Sequence, residues 1–375
     1  MYMIDTIMLI IPYNEEMITK PERFGGVDQI WQMECCFITG NAKIDYPNMP
    51  TNEEKEQGYF PRLQLSRTAY PIKGSFMNLY IECSLPKLLY GNNFEEVTQE
   101  HFDTIIQVLQ DALFSMAVEV GLEVLMNAKV VRIHYSKNLI ITEHSTCREI
   151  LQVFAKSDIP KRLDVSRTTY KNDGEIIRYH ASSYELTFYD KLKDLQTAIN
   201  LSEKRTLERQ NIIQSDFLER ARGMEVLRME FRINDMNKLK DDVFPKMEIE
   251  YPEPTFRNLF KKELSRRTFL HFWNIAQTAA RCVILAQSAS VTVFQNILHL
   301  GYKPEKAAAI AQAFHLLSNG FSMRDLKNMS TPWHKLVQEA SGQMNLERSY
   351  LHRAFLNIGR LLDSFEPLSF SSFNL

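Results

Sequence analysis

Residues 182 to 191 read Ser-Ser-Tyr-Glu-Leu-Thr-Phe-Tyr-Asp-Lys, and apolar and polar side chains alternate along them. Because successive side chains of a β-strand point to opposite faces, this alternation predicts a strand with one apolar and one polar face. The apolar face would carry Tyr184, Leu186 and Phe188, and the polar face would carry Ser183, Glu185, Thr187, Tyr189 and Lys191. The polar face therefore combines a phenol with an acid and an amine.

Three further segments alternate in the same way and predict three more strands of this kind. Their polar faces would carry Tyr80 and Glu82, then Arg132 and His134, and then Arg228, Glu230 and Arg232. Any single surface strand alternates as well, so the interpretation depends on the four segments together. Four polar faces with Glu, His, Arg, Tyr and Lys favour a sheet whose polar side lines a cleft. We predict an α+β fold, with a mainly antiparallel sheet that presents one polar catalytic face.

The composition changes in an acidic segment that contains Pro245, Pro252 and Pro254, and beyond this segment the pattern is helical throughout. Because prolines interrupt regular structure, we predict a linker here. The predicted organisation is a catalytic domain at residues 1–236, a linker at 237–255 and a helical domain that binds DNA or a partner at 256–375.

The helical region begins with a basic segment from Arg257 to Gln287, which carries a local net charge of +5 among interleaved aromatic residues. The common explanation is a helix with an aromatic core side and a solvated basic side. The functional alternative is a surface that follows DNA phosphates, because Lys and Arg supply most of the sequence-independent affinity for DNA. The predicted DNA contacts under this alternative are Lys261, Lys262, Arg266 and Arg267. A weaker helix-turn-helix pattern follows at residues 304 to 329.

The composition excludes several classes of protein. The chain has 375 residues and a net charge of −2, which excludes a histone-like binder. Its apolar runs are far shorter than the ~20 residues of a membrane span, and Asp5 without a preceding cation predicts no signal peptide. The five cysteines have no CxxC spacing and predict reduced, mostly buried thiols. The absence of a GxxxxGK[ST] motif argues against a nucleotide-driven motor.

The tyrosine segment, together with three others, resembles the gene II-type replication initiators of filamentous phages and related plasmids. The similar segments are Leu79 to Asn93, Val131 to His134, Ser182 to Lys191 and Val226 to Ile233. They occur in the order of that family and lie within residues 4 to 234. The C-terminal helical third is similar only loosely.

This resemblance implies a rolling-circle initiator, which nicks one strand of a duplex origin and stays bonded to the 5′ phosphate through a tyrosine. The free 3′ end then primes synthesis, and the displaced strand is later rejoined into a circle. Carried over by position, Tyr189 is the nucleophile, and Glu82, His134 and Glu230 are candidate ligands of Mg²⁺ or Mn²⁺. The family has an aspartate where this chain has His134. An imidazole suits Mg²⁺ less well than a carboxylate does, which puts the identity of the metal in question.

The residue types suit this chemistry. Only about one phenol in a thousand is ionised at pH 7, so a tyrosine nucleophile needs a neighbour that stabilises its phenolate or polarises the phosphate. Lys191 shares the face of Tyr189 and can add positive charge there. The candidate DNA contacts on the sheet are Arg132, Arg228 and Arg232, because arginine can bind phosphate oxygens in a bidentate manner. The alternative for Glu230 is an ordinary ion pair with its arginine neighbours.

The implied partners are origin DNA, single-stranded at the nick, and a host helicase or polymerase in the cytoplasm of a bacterium. No membrane partner is implied. A conjugative relaxase would use the same chemistry at a transfer origin, and the sequence does not separate the two. A different class of function is an origin-binding protein that loads a helicase without cleaving DNA. A third hypothesis is an initiator that has lost metal binding at His134.

Overall fold

The computed structural model describes residues 4–25, 42–70, 74–141, 145–159, 163, 167–171, 175–203, 215–250, 252–287, 290–344 and 350–367. Within these ranges the chain forms a nine-stranded antiparallel sheet, followed by a helical C-terminal region. The predicted α+β class with a mainly antiparallel sheet is confirmed.

The sheet has the spatial order β2-β3-β4-β1-β5-β9-β8-β7-β6. Its strands are β1 (Ile4–Pro12), β2 (Ala42–Asn48), β3 (Arg62–Tyr70), β4 (Gly74–Ser84), β5 (Lys129–Ile140), β6 (Arg167–Lys171), β7 (Ile176–His180), β8 (Tyr184–Asp190) and β9 (Val226–Ile233). The first strand of the chain therefore lies at the centre of the sheet, beside β5. Strands β5, β9 and β8 are adjacent, although long segments of chain separate them.

Helices connect the strands and then continue alone to the C-terminal end of the described residues. The connecting helices are α1 (Asn52–Gln57), α2 (Leu85–Tyr90), α3 (Phe102–Ser115), α4 (Leu122–Met126), α5 (Cys147–Lys156) and α6 (Lys191–Glu203). After β9, short helical segments at Met236–Lys238, Leu239–Val243 and Phe244–Lys246 lead to α7 (Phe256–Leu259), α8 (Lys262–Ala286), α9 (Ser290–His299), α10 (Pro304–Ser318), α11 (Met323–Met329), α12 (Thr331–Gln343) and α13 (Tyr350–Ser364). None of the helices in the described ranges has the length and apolar character of a membrane span.

The strand register brings the polar side chains of neighbouring strands together on one face of the sheet. Thr187 pairs with Glu230, and Tyr189 pairs with Arg228. A β-bulge near the start of β1 adds one residue, because Ile4 pairs with Tyr135 whereas Thr6 pairs with its neighbour His134. The extra residue, Asp5, directs its carboxylate onto this polar face, where it meets Arg228.

The opposite, apolar face of the sheet packs against helices from both parts of the chain. The rings of Phe231 in β9 and Phe272 in α8 lie 4.2 Å apart, and Trp273 meets Phe154 of α5 at 6.0 Å. The segment predicted as a linker contains Leu239 and Phe244, which are fully buried in the same core. The sheet and the C-terminal helices thus share one core, and the division at 237–255 stays a prediction.

The cysteines of the described residues are free and buried, namely Cys83, Cys147 and Cys282. Cys35 and Cys36 lie outside the described residues. The prediction of reduced, buried thiols holds for these three.

Candidate functional site

Tyr189 lies near the end of β8, on the polar face of the sheet. Its phenol donates a hydrogen bond of 2.6 Å to Oε1 of Glu230 on the neighbouring strand. The residue is only 7% exposed, and its burial, together with the charge of Glu230, raises the pKa of the phenol well above its usual range. The tyrosine predicted as the nucleophile is therefore a neutral phenol held against a carboxylate.

Glu230 is the centre of a buried group of charges. Its Oε1 also accepts a hydrogen bond from Nε of Arg228 at 2.9 Å, and its Oε2 accepts from Nε and Nη2 of Arg232 at 2.9 and 2.5 Å. Burial alone would raise the pKa of Glu230, but the two guanidinium groups hold this pKa well below its usual range. A carboxylate has about four acceptor positions, so those of Glu230 are all occupied.

Arg228 is almost fully buried, and its N–H groups donate hydrogen bonds to other groups of the protein. Besides Glu230, its acceptors are Oδ1 of Asp5 at 2.8 Å, Oγ of Ser136 at 2.9 Å, the carbonyl oxygen of Asn93 at 2.7 Å and Oδ1 of Asn138 at 3.3 Å. These bonds use the five N–H donors of a guanidinium group. Arg228 is thus bound within the protein through all five donors, and its predicted contact with DNA stays a prediction.

Lys191 begins α6, immediately after the strand that carries Tyr189, and its side chain is fully buried. Its Nζ donates to Oδ2 of Asp194 at 2.9 Å and to Oδ1 of Asn93 at 3.2 Å, and lies 5.8 Å from the centre of the Tyr189 ring. Burial and the positive charge of Arg228 lower the pKa of this ammonium group. The amino group of Lys191 therefore lies beside the phenol, and its role in adding positive charge there stays a prediction.

The three predicted metal ligands are placed differently from one another. His134 of β5 pairs with Arg232 in the register, and its buried Nε2 has no hydrogen-bond partner among the described residues. Burial, with a contribution from Arg232, lowers the pKa of His134. Glu82 lies on β4 with its carboxylate 3.9 Å from Arg132. In the described part of the chain, Glu82, His134 and Glu230 do not form one group with ligand atoms within 4.8 Å of one another.

Comparison with known families gives a match over the part of the chain that contains this site. A family model described as the N-terminal region of a phage replication-associated protein, the gene II protein, matches residues 3–250. The chain belongs to this family. The match confirms the resemblance found in the sequence and supports a rolling-circle replication initiator of the filamentous-phage gene II type. Neither the curated proteins nor the solved structures contain a significant match.

The region matched by the family also contains a second group of potential ligand atoms, formed by Cys147, Asp190 and Glu225, which lie within 4.8 Å of one another. Glu225 accepts from the backbone N–H of Cys147 at the start of α5, and Asp190 accepts from backbone N–H groups at the start of α6. These carboxylates therefore satisfy amides that a helix leaves unpaired. Burial and both carboxylates raise the pKa of the Cys147 thiol well above its usual range. The group could hold a metal ion, but thiolate ligands suit soft metals rather than Mg²⁺ or Mn²⁺.

The basic residues predicted to contact DNA from the helical region lie beyond the residues that the family model matches. Arg266 pairs with Glu263 and with Asp363, at 3.0 and 2.6 Å, and Arg267 donates to the carbonyl oxygen of Met247. Lys261 is exposed, and Lys262 is half-buried. The arginines of this group therefore have partners within the protein, and the four predicted DNA contacts stay predictions.

Several residues of the tyrosine site were not identified from the sequence. Asp5, Asn93, Ser136, Asn138 and Asp194 all contact Arg228 or Lys191. The alternation of β5 did contain a signal for two of them, because Ser136 and Asn138 continue the polar face of Arg132 and His134. Asp5 reaches the site because of the bulge in β1, and Asn93 reaches it because of the path of a loop. Neither feature leaves a periodic pattern in the sequence.

Proposed function

We propose that this protein nicks one DNA strand at a replication origin by attack of Tyr189 on a phosphodiester, and later rejoins the displaced strand. The observation that carries the proposal is the 2.6 Å hydrogen bond from the Tyr189 phenol to Glu230, inside a region that belongs to a replication-protein family. A tyrosine nucleophile needs a neighbour that holds and orients its hydroxyl, and Glu230 accepts the hydrogen bond that does so.

The nicking step exchanges one phosphodiester for another. Oη of Tyr189 forms a bond to phosphorus, and the bond from phosphorus to the 3′ oxygen breaks. The phenol gives up its proton as this bond forms, and the departing 3′ oxygen takes up one proton and becomes a free hydroxyl, so the step releases and consumes one proton. Rejoining is the reverse reaction, in which a 3′ hydroxyl attacks the phosphotyrosyl bond. The number of phosphate ester bonds is unchanged, so no nucleotide is consumed.

The cations around Tyr189 divide into two roles in this proposal. Arg228 orders the buried carboxylates, because its donors are taken up by the protein. Arg232 has a side chain that is 29% exposed and Arg132 one that is 37% exposed, so both can reach a phosphate from the polar face. Lys191 adds positive charge near the phenol. Charged donors of this kind stabilise the negative charge that develops in phosphoryl transfer.

A divalent cation, Mg²⁺ or Mn²⁺, belongs to the proposed function as a cofactor. His134 offers a buried Nε2 without a partner in the described residues, which fits a ligand. Glu230 does not fit, because its acceptor positions are filled by Tyr189 and two arginines. Glu82, His134 and Glu230 therefore do not make one ligand set in this arrangement, and none of the steps above depends on a metal.

Replacing Tyr189 tests the proposal directly. The protein is incubated with end-labelled origin DNA and Mg²⁺ or Mn²⁺, and covalent adducts are counted on denaturing gels. We expect the wild type to form an adduct and Tyr189→Phe to form none, while both bind the DNA with the same Kd. The control is Tyr184→Phe, because Tyr184 lies on the apolar face of the same strand and donates to the carbonyl of Leu163. Equal adduct formation by Tyr189→Phe would exclude Tyr189 as the nucleophile.

A non-cleaving origin-binding protein is the second candidate function, and the burial of Tyr189 is the observation that favours it. This candidate predicts salt-sensitive DNA binding without strand cleavage in either metal. A relaxase would form the same adduct with transfer-origin DNA instead of replication-origin DNA. A host helicase or polymerase remains the proposed partner of the helical region.

A further inference from the structure

We propose that Asn93 is a positioning residue that holds Lys191 beside the nucleophile. The inference rests on the proposed function of Tyr189. Asn93 accepts a hydrogen bond from Nζ of Lys191 through its side-chain Oδ1, at 3.2 Å, and from Nη1 of Arg228 through its carbonyl oxygen, at 2.7 Å. One loop residue thus contacts two cations that lie next to Tyr189.

Asn93 belongs to a strap, which we define as residues 92 to 96. The strap is folded on itself, because Oδ1 of Asn92 accepts from the backbone N–H groups of Phe94 and Glu95 at 2.9 Å each. The carbonyl oxygen of Phe94 accepts from Nδ2 of Asn138 at 2.7 Å, which ties the strap to β5. An Asn-based turn of this kind defines the backbone locally, so the side chain of Asn93 is presented in a set position.

The far end of the strap is anchored on the other side of β5. Glu96 accepts from Nζ of Lys137 at 2.9 Å and from the backbone N–H of Asn138 at 2.7 Å, and both charged side chains are buried. Adjacent residues of a strand point to opposite faces, so Lys137 and Asn138 hold the strap from both faces of the sheet. The segment that carries the acceptor of Lys191 is therefore tied to β5 by several hydrogen bonds.

The chemistry of Lys191 explains why a second acceptor is needed. A fully buried ammonium group is unfavourable unless its N–H donors are hydrogen-bonded. Asp194 offers a charged acceptor on the same helix, one turn away, and its own side chain is 40% exposed. Asn93 adds a second bond from a different element without adding negative charge. The two bonds hold Nζ in place at 5.8 Å from the centre of the Tyr189 ring.

A double-mutant cycle tests whether Asn93 acts through Lys191. The four proteins are the wild type, Asn93→Ala, Lys191→Met and the double variant, and the rate of adduct formation is measured at saturating origin DNA. We expect Asn93→Ala to slow the reaction about tenfold, because a hydrogen bond to a charged group is lost, with the Kd for DNA unchanged. In the Lys191→Met background the same change should have no further effect. Asn93→Asp keeps the acceptor and should stay within about threefold of the wild-type rate.

The control for the loss of an asparagine amide is Asn127→Ala, because Asn127 is exposed and its side chain contacts only Glu123 among the bonds described for it. This control should react at the wild-type rate. A wild-type rate for Asn93→Ala, or an equal loss in the presence and absence of Lys191, would overturn the inference while leaving the proposed function intact. An unchanged adduct with Tyr189→Phe would instead overturn both. Thermal unfolding of each variant shows whether a loss of reaction rate is due only to instability. If Asn93→Ala is unstable, the reaction rate of Asn93→Asp decides the outcome.

Discussion

Glu230 is the residue on which the charges of the polar face depend. Its carboxylate and that of Asp5 face two guanidinium groups, so the buried charges balance. A buried pair of this kind contributes little relative to an apolar core, but removing one member leaves an uncompensated charge and is strongly destabilising. The same arrangement orients the phenol of Tyr189. Stability and the proposed reactivity of Tyr189 are therefore coupled at this residue.

The low pKa of Glu230 predicts a loss of stability in acid. A carboxylate whose pKa is lower in the folded than in the unfolded state contributes stability above the unfolded value, about 4.3, and this contribution is lost as the pH falls towards the folded value. We expect the free energy of unfolding to decline below about pH 4.3 in the wild type, and less steeply in Glu230→Gln. Urea denaturation at several pH values measures both slopes. The control is Glu56→Gln on the exposed side of α1, which should retain the wild-type slope.

At the level of single residues, the sequence predicted the members of the site that follow strand alternation. Tyr189 and Glu230 were identified together because both occupy polar positions of regular strands, and the register places them in contact. The occupation of every acceptor position of Glu230 could not be predicted, because it depends on the rotamers of two arginines. Asp5 was missed, and Asn93 was predicted only as part of a turn, because a bulge and a loop bring them to the site from distant parts of the chain.

At the level of elements, the local signals for helices were reliable. The predicted hairpin at residues 304 to 329 is present as α10 and α11, and Ser322 begins the second helix with a capping box. The prolines that suggested a linker were less informative. Pro245 lies in the first turn of a short helix, a position that tolerates proline, and Phe244 beside it is buried.

The contacts between the strap and β5 predict how a substitution of Glu96 changes stability. Glu96→Gln should lower the free energy of unfolding by about 3–5 kcal/mol, because it leaves Lys137 buried without its charged partner. Glu95→Gln is the matched control one residue earlier. Burial raises the pKa of Glu95, so replacing its carboxylate with a neutral amide should be close to neutral for stability. Chemical denaturation of both variants gives the comparison. Equal effects of the two substitutions would contradict the anchoring role of Glu96.

Within the described residues, the sheet and the C-terminal helices contribute to the same large core, which the sequence did not predict. The sequence patterns separate a strand-rich part from a helical part, but they contain no information on how the two surfaces meet. The rings of Phe231, Phe272 and Trp273 belong to this junction. Because apolar burial is the main driving force of folding, the sheet and the C-terminal helices should stabilise each other.

This shared core predicts a single cooperative unfolding transition. Trp273→Ala should lower the free energy of unfolding by about 3–5 kcal/mol, since Trp273 is fully buried between Phe154 and Phe355. The far-UV and near-UV circular dichroism transitions should shift together on heating. Trp333→Ala is the control, because Trp333 is only partly buried, and we expect a smaller shift. Two separate transitions in the wild type would show that the sheet and the helices unfold independently.

The central position of β1 has a consequence for biosynthesis. The strand is the first part of the sheet to leave the ribosome, but its neighbours β4 and β5 end only at Ser84 and Ile140. The salt bridge from Asp5 to Arg228 joins positions 223 residues apart. Contacts so distant along a chain form late and slowly. The nascent polypeptide therefore cannot assemble the pocket around Tyr189 until β9, which ends at Ile233, has been translated.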